Sequence, residues 1–209
     1  RIGFSEDLGV LPVDAEIRTV FRGALRSWEA LGVRLEEACP DCSELSRVYH
    51  TLRARFFAAR FGPTLEAHRD RLKPEIAWNT EKGLALTGLE IGRAERGRGE
   101  IFHRVMRFFE THDLLVHPAA VVPPFDKALR YPQEIDGRPM ETYMDWLTVT
   151  FLSSLTACPS ISVPCGFTRS GLPVGLMIMA PPRCEDRLLG AALLFEQHLC
   201  GEQHLQIHV

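Results

Sequence analysis

At 209 residues, 45% hydrophobic and 24% charged, the chain is long enough to bury a core and too apolar to stay disordered. A formal charge of -3 and a pI near 6.3 provide no broad basic surface, so neither nucleic acid nor membrane is expected as a partner. No apolar run approaches the ~20 residues that span a bilayer, and RIGFSEDLGVLP lacks the basic-then-apolar start of a signal peptide, so a cytoplasmic protein is expected.

Ile2 to Ser5 reads as a short buried strand that opens the chain without an initiator Met, which suggests numbering that starts inside a longer gene product. Asp14, followed by Ala15 and Glu16, is a helix cap with an acidic first turn. Ile17, Val20, Phe21, Ala24, Leu25, Trp28 and Leu31 then recur at spacings of three and four, and Gly32 closes the helix. Val33 to Glu37 is its following strand, which makes a strand–helix–strand unit. From Ser43 to about Thr111 the pattern is helical, broken at Gly62-Pro63 and at Lys73-Pro74, and residues 43–111 are expected to form a helical layer.

Asp113 to His117 is a buried strand by its apolar run, and the proline-rich Pro118 to Pro139 reads as a long loop. Helical spacing resumes from Met140 to about Leu155. Ser160 to Pro164 and Val174 to Ala180 are two strands joined by a turn at Arg169-Ser170-Gly171. Pro159 and Pro164 bracket the first of them, which is therefore expected to be short. Glu185 and Asp186 open a last helix that ends near Cys200-Gly201. Strands alternating with helices imply an α/β fold, a mixed sheet covered by helices, with residues 112–209 as its sheet region and terminal helix.

Few constellations could carry chemistry. Cys39-Pro40-Asp41-Cys42 follows a strand and precedes a helix, the setting of a redox-active thiol pair, although Asp41 disfavours a thiolate. Cys158 and Cys165 are too far apart along a strand to complete a zinc site, and His112 and His117 fall on opposite faces of one, so no metal is expected. The arginines at 93, 96, 98, 104 and 107 are interleaved with Glu90, Glu95 and Glu100, as on a solvated helix face. The only lysines, Lys73, Lys82 and Lys127, lie in polar or proline-rich settings. Ser153-Ser154 is a serine pair without flanking glycines. Asp145 and Trp146, with Tyr143 before them, combine a carboxylate with a large apolar wall and are the candidate substrate-binding residues.

SLTACPSISVPCGF (154–167), GLPVGLMIMAPP (171–182) and EDRLLGAALLFEQ (185–197) resemble the C-terminal hallmark of the amidase-signature family, written LTGLPAISVPCGF, GLPVGLQLIGPP and DExLLxxAxxxE. RIGFSEDLGVLPVDAEI and DLLVHPAAVVPP are similar to further family segments, so the resemblance spans nearly the whole chain. Ala157, Cys158 and Met177 depart from the usual Gly, Leu and Gln. The resemblance implies part of an α/β/α sandwich and a parent that cleaves a small carboxylic amide through a Ser-Ser-Lys acyl-enzyme mechanism without a cofactor. By the same resemblance that triad and its Gly/Ser-rich loop belong to the family's N-terminal half, so no catalytic residue is expected here and the chain alone should be inactive. Related amidotransferases place a substrate-binding aspartate near Asp145, with a spacing that differs by about two residues. A homo-oligomer is compatible with this reading, and the alternatives are a non-catalytic binding module or a thiol redox protein using Cys39 and Cys42.

Overall fold

The computed structural model describes residues 1–30 and 32–199. A strand Ile2–Phe4 (β1), a helix Ala15–Glu29 (α1) and a strand Leu35–Glu37 (β2) form the expected opening unit. Asp14 caps α1 by accepting the Glu16 N–H at 2.8 Å. The three-four spacing buries Ile17, Phe21, Ala24, Leu25 and Trp28, while Val20 is half-buried and Leu31 lies outside the described residues. Gly32 takes φ +81 just past the helix, and Val33 still donates to Trp28 O at 3.3 Å. That turn consumes Val33, so β2 begins at Leu35, two residues later than the pattern suggests.

Leu114–Pro118 (β3), Ser160–Phe167 (β6) and Pro173–Met179 (β7) complete a sheet ordered β2-β1-β3-β7-β6. β1 is parallel to both β2 and β3, and β7 is antiparallel to both β3 and β6. The final helix Glu185–Leu199 (α6) buries Leu188, Ala192 and Phe195, and the Phe195 ring meets Trp28 of α1. The expected end of this helix at Cys200-Gly201 lies outside the described residues.

Pro164 does not end its strand as expected, because β6 runs on to Phe167. The sheet order explains why: β6 is an edge strand among the described residues, so a missing N–H disturbs no outer ladder. The register also shifts between Pro164 and Gly166, a bulge that absorbs the irregularity. The proline-rich stretch is not wholly loop either. Glu134–Ile135 (β4) and Arg138–Pro139 (β5) form a small hairpin whose turn residues Asp136 and Gly137 have φ +50 and +75. Asp-Gly is the signature of this turn, and it was readable in the sequence.

Beyond α1, the helical stretch resolves into Leu45–His68 (α2), Pro74–Leu84 (α3) and Gly88–Phe109 (α4). Residues Glu44–His103 form one compact unit; Arg1–Ser43 and the stretch from Arg104 onward form another, the boundary falling inside α4. α2 passes through Gly62-Pro63, where the sequence suggests a break. Proline removes one hydrogen bond, but α2 packs along α3, and tertiary packing decides helix persistence more than local propensity does. The other expected break, at Lys73-Pro74, is present: a 3-10 turn Arg69–Arg71 follows α2, and Pro74 stands in the first helical turn of α3. A further break precedes α4, where Thr87 and Glu90 form a reciprocal capping box: the Thr87 N–H donates to Glu90 Oε2 at 2.8 Å and the Glu90 N–H to Thr87 Oγ1 at 3.2 Å.

The segment before β6 is a 3-10 helix Asp145–Thr150 followed by a short α-helix Phe151–Thr156 (α5), and α5 ends at Ala157 with φ +52 and ψ +28. An L-residue with a Cβ is held there in a left-handed conformation that glycine adopts freely. Ala157→Gly is therefore expected to stabilise the protein by about 1 kcal/mol, read as a rise in the urea midpoint at constant m. An unchanged or lowered midpoint would show that the strain is relieved some other way. Among the described residues no helix is long and apolar enough to cross a membrane.

Candidate substrate pocket

Because β1 and β3 are parallel, their carboxyl ends lie at one edge of the sheet, and the loops that follow them gather there. The loop after β1 is folded on itself: Ser5 Oγ accepts the Leu8 N–H at 2.9 Å and Asp7 Oδ1 accepts the Gly9 N–H at 2.7 Å. The loop after β3 is stitched down at two points. Ala119 donates to Gly175 O at 3.0 Å, and the Asp14 N–H donates to Val121 O at 2.9 Å. Pro123 and Pro124 then stiffen it.

Between this prolyl loop, Ile17 of α1, the start of β7 and Trp146 lies a cavity of about 200 Å3. Its lining carries no ionisable side chain. Trp146 meets Phe125 edge to face, with ring centres 5.5 Å apart and planes at 85°. A larger cavity of about 300 Å3 is lined by Ile2, Trp28, Val33 and Phe195. It sits at the amino end of β1, away from the loops in which sites of such sheets are built. A third, of about 320 Å3, lies at the carboxyl ends of β1 and β2, but its Glu6 and Arg22 already pair with each other, so the smaller cavity is the better candidate.

Of the three residues singled out from sequence, only Trp146 lines the cavity. Asp145 turns back on its own segment: its Oδ2 accepts the Thr142 N–H at 2.7 Å and its Oδ1 the Thr142 hydroxyl at 2.9 Å. The Thr148 hydroxyl donates to Asp145 O at 2.9 Å, so the turn that carries Trp146 is braced on both sides. Tyr143 is half-buried and outside the lining. The residues missed from sequence are Ile17, Phe125 and the prolines around it. A proline pair in the loop that follows a buried strand was the available signal.

Arg18, next to Ile17, links three segments at the same sheet edge. Its Nε donates to Val13 O at 3.1 Å, and its guanidinium lies 3.5 Å from both Glu6 and Asp136. Glu6 also pairs with Arg22. The hairpin tip is thereby tied to α1 and to the loop after β1.

At the end of β3, His117 is buried and its Nδ1 lies 2.9 Å from Pro118 O. A carbonyl can only accept, so Nδ1 carries the proton of the neutral ring. Burial lowers its pKa to about 4, the bond to Pro118 O opposing the shift only in part.

The remaining sequence candidates do not assemble into a nucleophilic centre. Lys73, Lys82 and Lys127 are exposed, and Lys82 lies 4.9 Å over the Trp78 ring. The hydroxyls of Ser153 and Ser154 both donate to Thr150 O, at 3.4 and 3.1 Å, as helix hydroxyls commonly do. Cys39 and Cys42 are free thiols. Burial raises the pKa of both, that of Cys42 to about 12, and the neighbouring Asp41 adds to the effect. Both shifts disfavour the thiolate that redox exchange needs. In α4, Arg93, Arg96, Arg98 and Arg107 are exposed, and Glu95 pairs with Arg55 at 2.6 Å.

The sequence pattern of the amidase family matches residues 1–189. The chain belongs to the amidase-signature family. An acylamidase of Rhodococcus erythropolis is 31% identical over 94% of this amidase-signature chain and 42% of its own length. A glutamyl-tRNA(Gln) amidotransferase component from Myxococcus xanthus is 28% identical, covering 94% of the chain and 44% of its own. Among solved structures, a bacterial aryl acylamidase of the same family superposes with a TM-score of 0.85 at 22% identity, over 97% of the chain and 44% of that structure. A further amidase gives 0.87 at 21%, over 95% and 45%. The mixed, helix-covered sheet is thus the family's α/β fold, and the chain spans less than half the length of these relatives.

Proposed function

We propose that the complete polypeptide hydrolyses a carboxylic amide through an acyl-enzyme on a serine activated by a second serine and a lysine, and that these 209 residues supply sheet strands, helical cover and one wall of the substrate pocket. The observation that carries this reading is the family match over residues 1–189, joined to an apolar cavity at the carboxyl edge of the sheet. Serine at its normal pKa needs an adjacent base to attack an amide, and the tetrahedral oxyanion needs fixed donors. The exposed lysines and the helix-bonded Ser153 and Ser154 supply neither, so the reading places that machinery on sequence outside these residues. Its partner is a small-molecule amide, and it calls for no cofactor.

Within the chain, Trp146 is the residue assigned to touch substrate. Asp145 acts as a positioning residue: with both oxygens engaged by Thr142, it holds the 3-10 turn that presents Trp146. Tyr143 belongs to the same turn and lies outside the lining.

The purified chain is expected to show neither amide turnover nor labelling by a fluorophosphonate serine probe. Co-expression with a segment carrying a lysine and a glycine-flanked serine pair, taken from the same gene, is expected to restore both. Turnover by the chain alone, with labelling that disappears in Ser153→Ala or Ser154→Ala, would overturn the reading.

A further inference from the structure

We infer that the cavity walled by Trp146 and Phe125 takes an uncharged apolar group of the amide, a single ring or a compact alkyl group, and that Trp146 sets the largest group admitted. The inference rests on the amide-hydrolase reading and adds to it the class of substrate and the residue that limits its size.

Three observations support it. The lining has no ionisable side chain to meet an ammonium or a carboxylate, so a charged substituent would lose its water without gaining a partner. Asp145, the nearest acidic residue in sequence to Trp146, has both oxygens hydrogen-bonded to Thr142 and is absent from the lining. The volume is about 200 Å3, and an apolar cavity of about 150 Å3 accommodates benzene, so one substituted ring fills it.

The loop side of the cavity is stiff, because Pro123, Pro124 and Pro173 restrict their own backbone. On the opposite side Trp146 stands on the turn braced through Asp145, Thr142 and Thr148. An aromatic pair already meeting edge to face offers a further ring the same geometry. Removing the indole would therefore enlarge the cavity, and adding carbons at Ala120 would shrink it.

The test is binding to the purified chain, which needs no turnover, followed by titration calorimetry or ligand-observed NMR with acetanilide, N-(2-naphthyl)acetamide and glutamine. Acetanilide is expected to bind at least 10-fold more tightly than either of the others. Trp146→Ala is expected to reverse the order of acetanilide and the naphthyl amide, and Ala120→Leu to weaken both about 10-fold. Absence of saturable acetanilide binding overturns the inference, as does equal binding of glutamine or an order indifferent to both substitutions. If the order holds but the co-expressed enzyme cleaves no amide, the hydrolase reading fails and the apolar site remains. If the enzyme is active without this order, the inference alone fails.

Discussion

Gly83→Ala is expected to destabilise the helical unit by about 3 kcal/mol, at the upper end of what overpacking costs. A Cβ at Gly83 of α3 would stand 1.9 Å from the carbonyl oxygen of Ala54 in α2 and 2.5 Å from its carbon. Both are backbone atoms, so relief requires the two helices to separate. Against this, alanine gains only about 1 kcal/mol of helix propensity over glycine. The clash wins. Gly92→Ala in α4 is the matched control, because a Cβ there meets nothing within 4 Å. It should stabilise by about 0.5–1 kcal/mol, so the two identical chemical changes should move the urea midpoint in opposite directions. Two shifts of the same sign would mean that α2 and α3 do not pack as closely as this.

The second large effect is loss of stability in mild acid through His117. Its pKa is about 6.5 unfolded and about 4 folded, so between these values the unfolded chain binds more protons. Stability is fully present above about pH 6.5 and falls as the pH drops toward 4, by a total on the order of 3 kcal/mol. The carboxylates held low by ion pairs or hydrogen bonds, Glu36, Asp41, Glu90 and Asp113, are exposed or nearly so and lose their contribution at lower pH. His117→Asn keeps an N–H to serve Pro118 O and removes the titration. Its stability should be much flatter from about pH 6.5 to 4.5 in urea titrations, and an unchanged slope in this variant would assign the acid loss to other groups.

Met177 stands directly across from His117 in the β3–β7 register, where the family pattern has glutamine. A thioether is a weak acceptor and no donor, so it offers the imidazole little compensation for lost water. A departure that looked like a matter of packing in the sequence thus lies beside the buried base of β3.

Much of the scaffold was legible. The Asp14 cap and the spacing of Ile17, Phe21, Ala24 and Trp28 are local signals, and α1 obeys them because each can be satisfied within one helix and the face it buries. The β6–β7 hairpin was legible for the same reason: two β-rich runs meet across the short turn at Gly171. Pro63 and Pro164 misled in opposite units through one cause. A proline reports what its own residue cannot donate, but whether that donor is missed depends on its neighbours, α3 alongside α2 in one case and an open sheet edge at β6 in the other.

By itself the sequence determined the family, the alternation of strands and helices and the helix starts, because these follow from motifs and from hydrogen bonds only a few residues apart. Only the tertiary structure singled out the candidate pocket. That Asp145 turns back to Thr142 while Trp146 joins Phe125, Ile17 and Pro173 around one apolar cavity depends on segments far apart in the chain. Side-chain direction and long-range register set such contacts, and no local pattern encodes either.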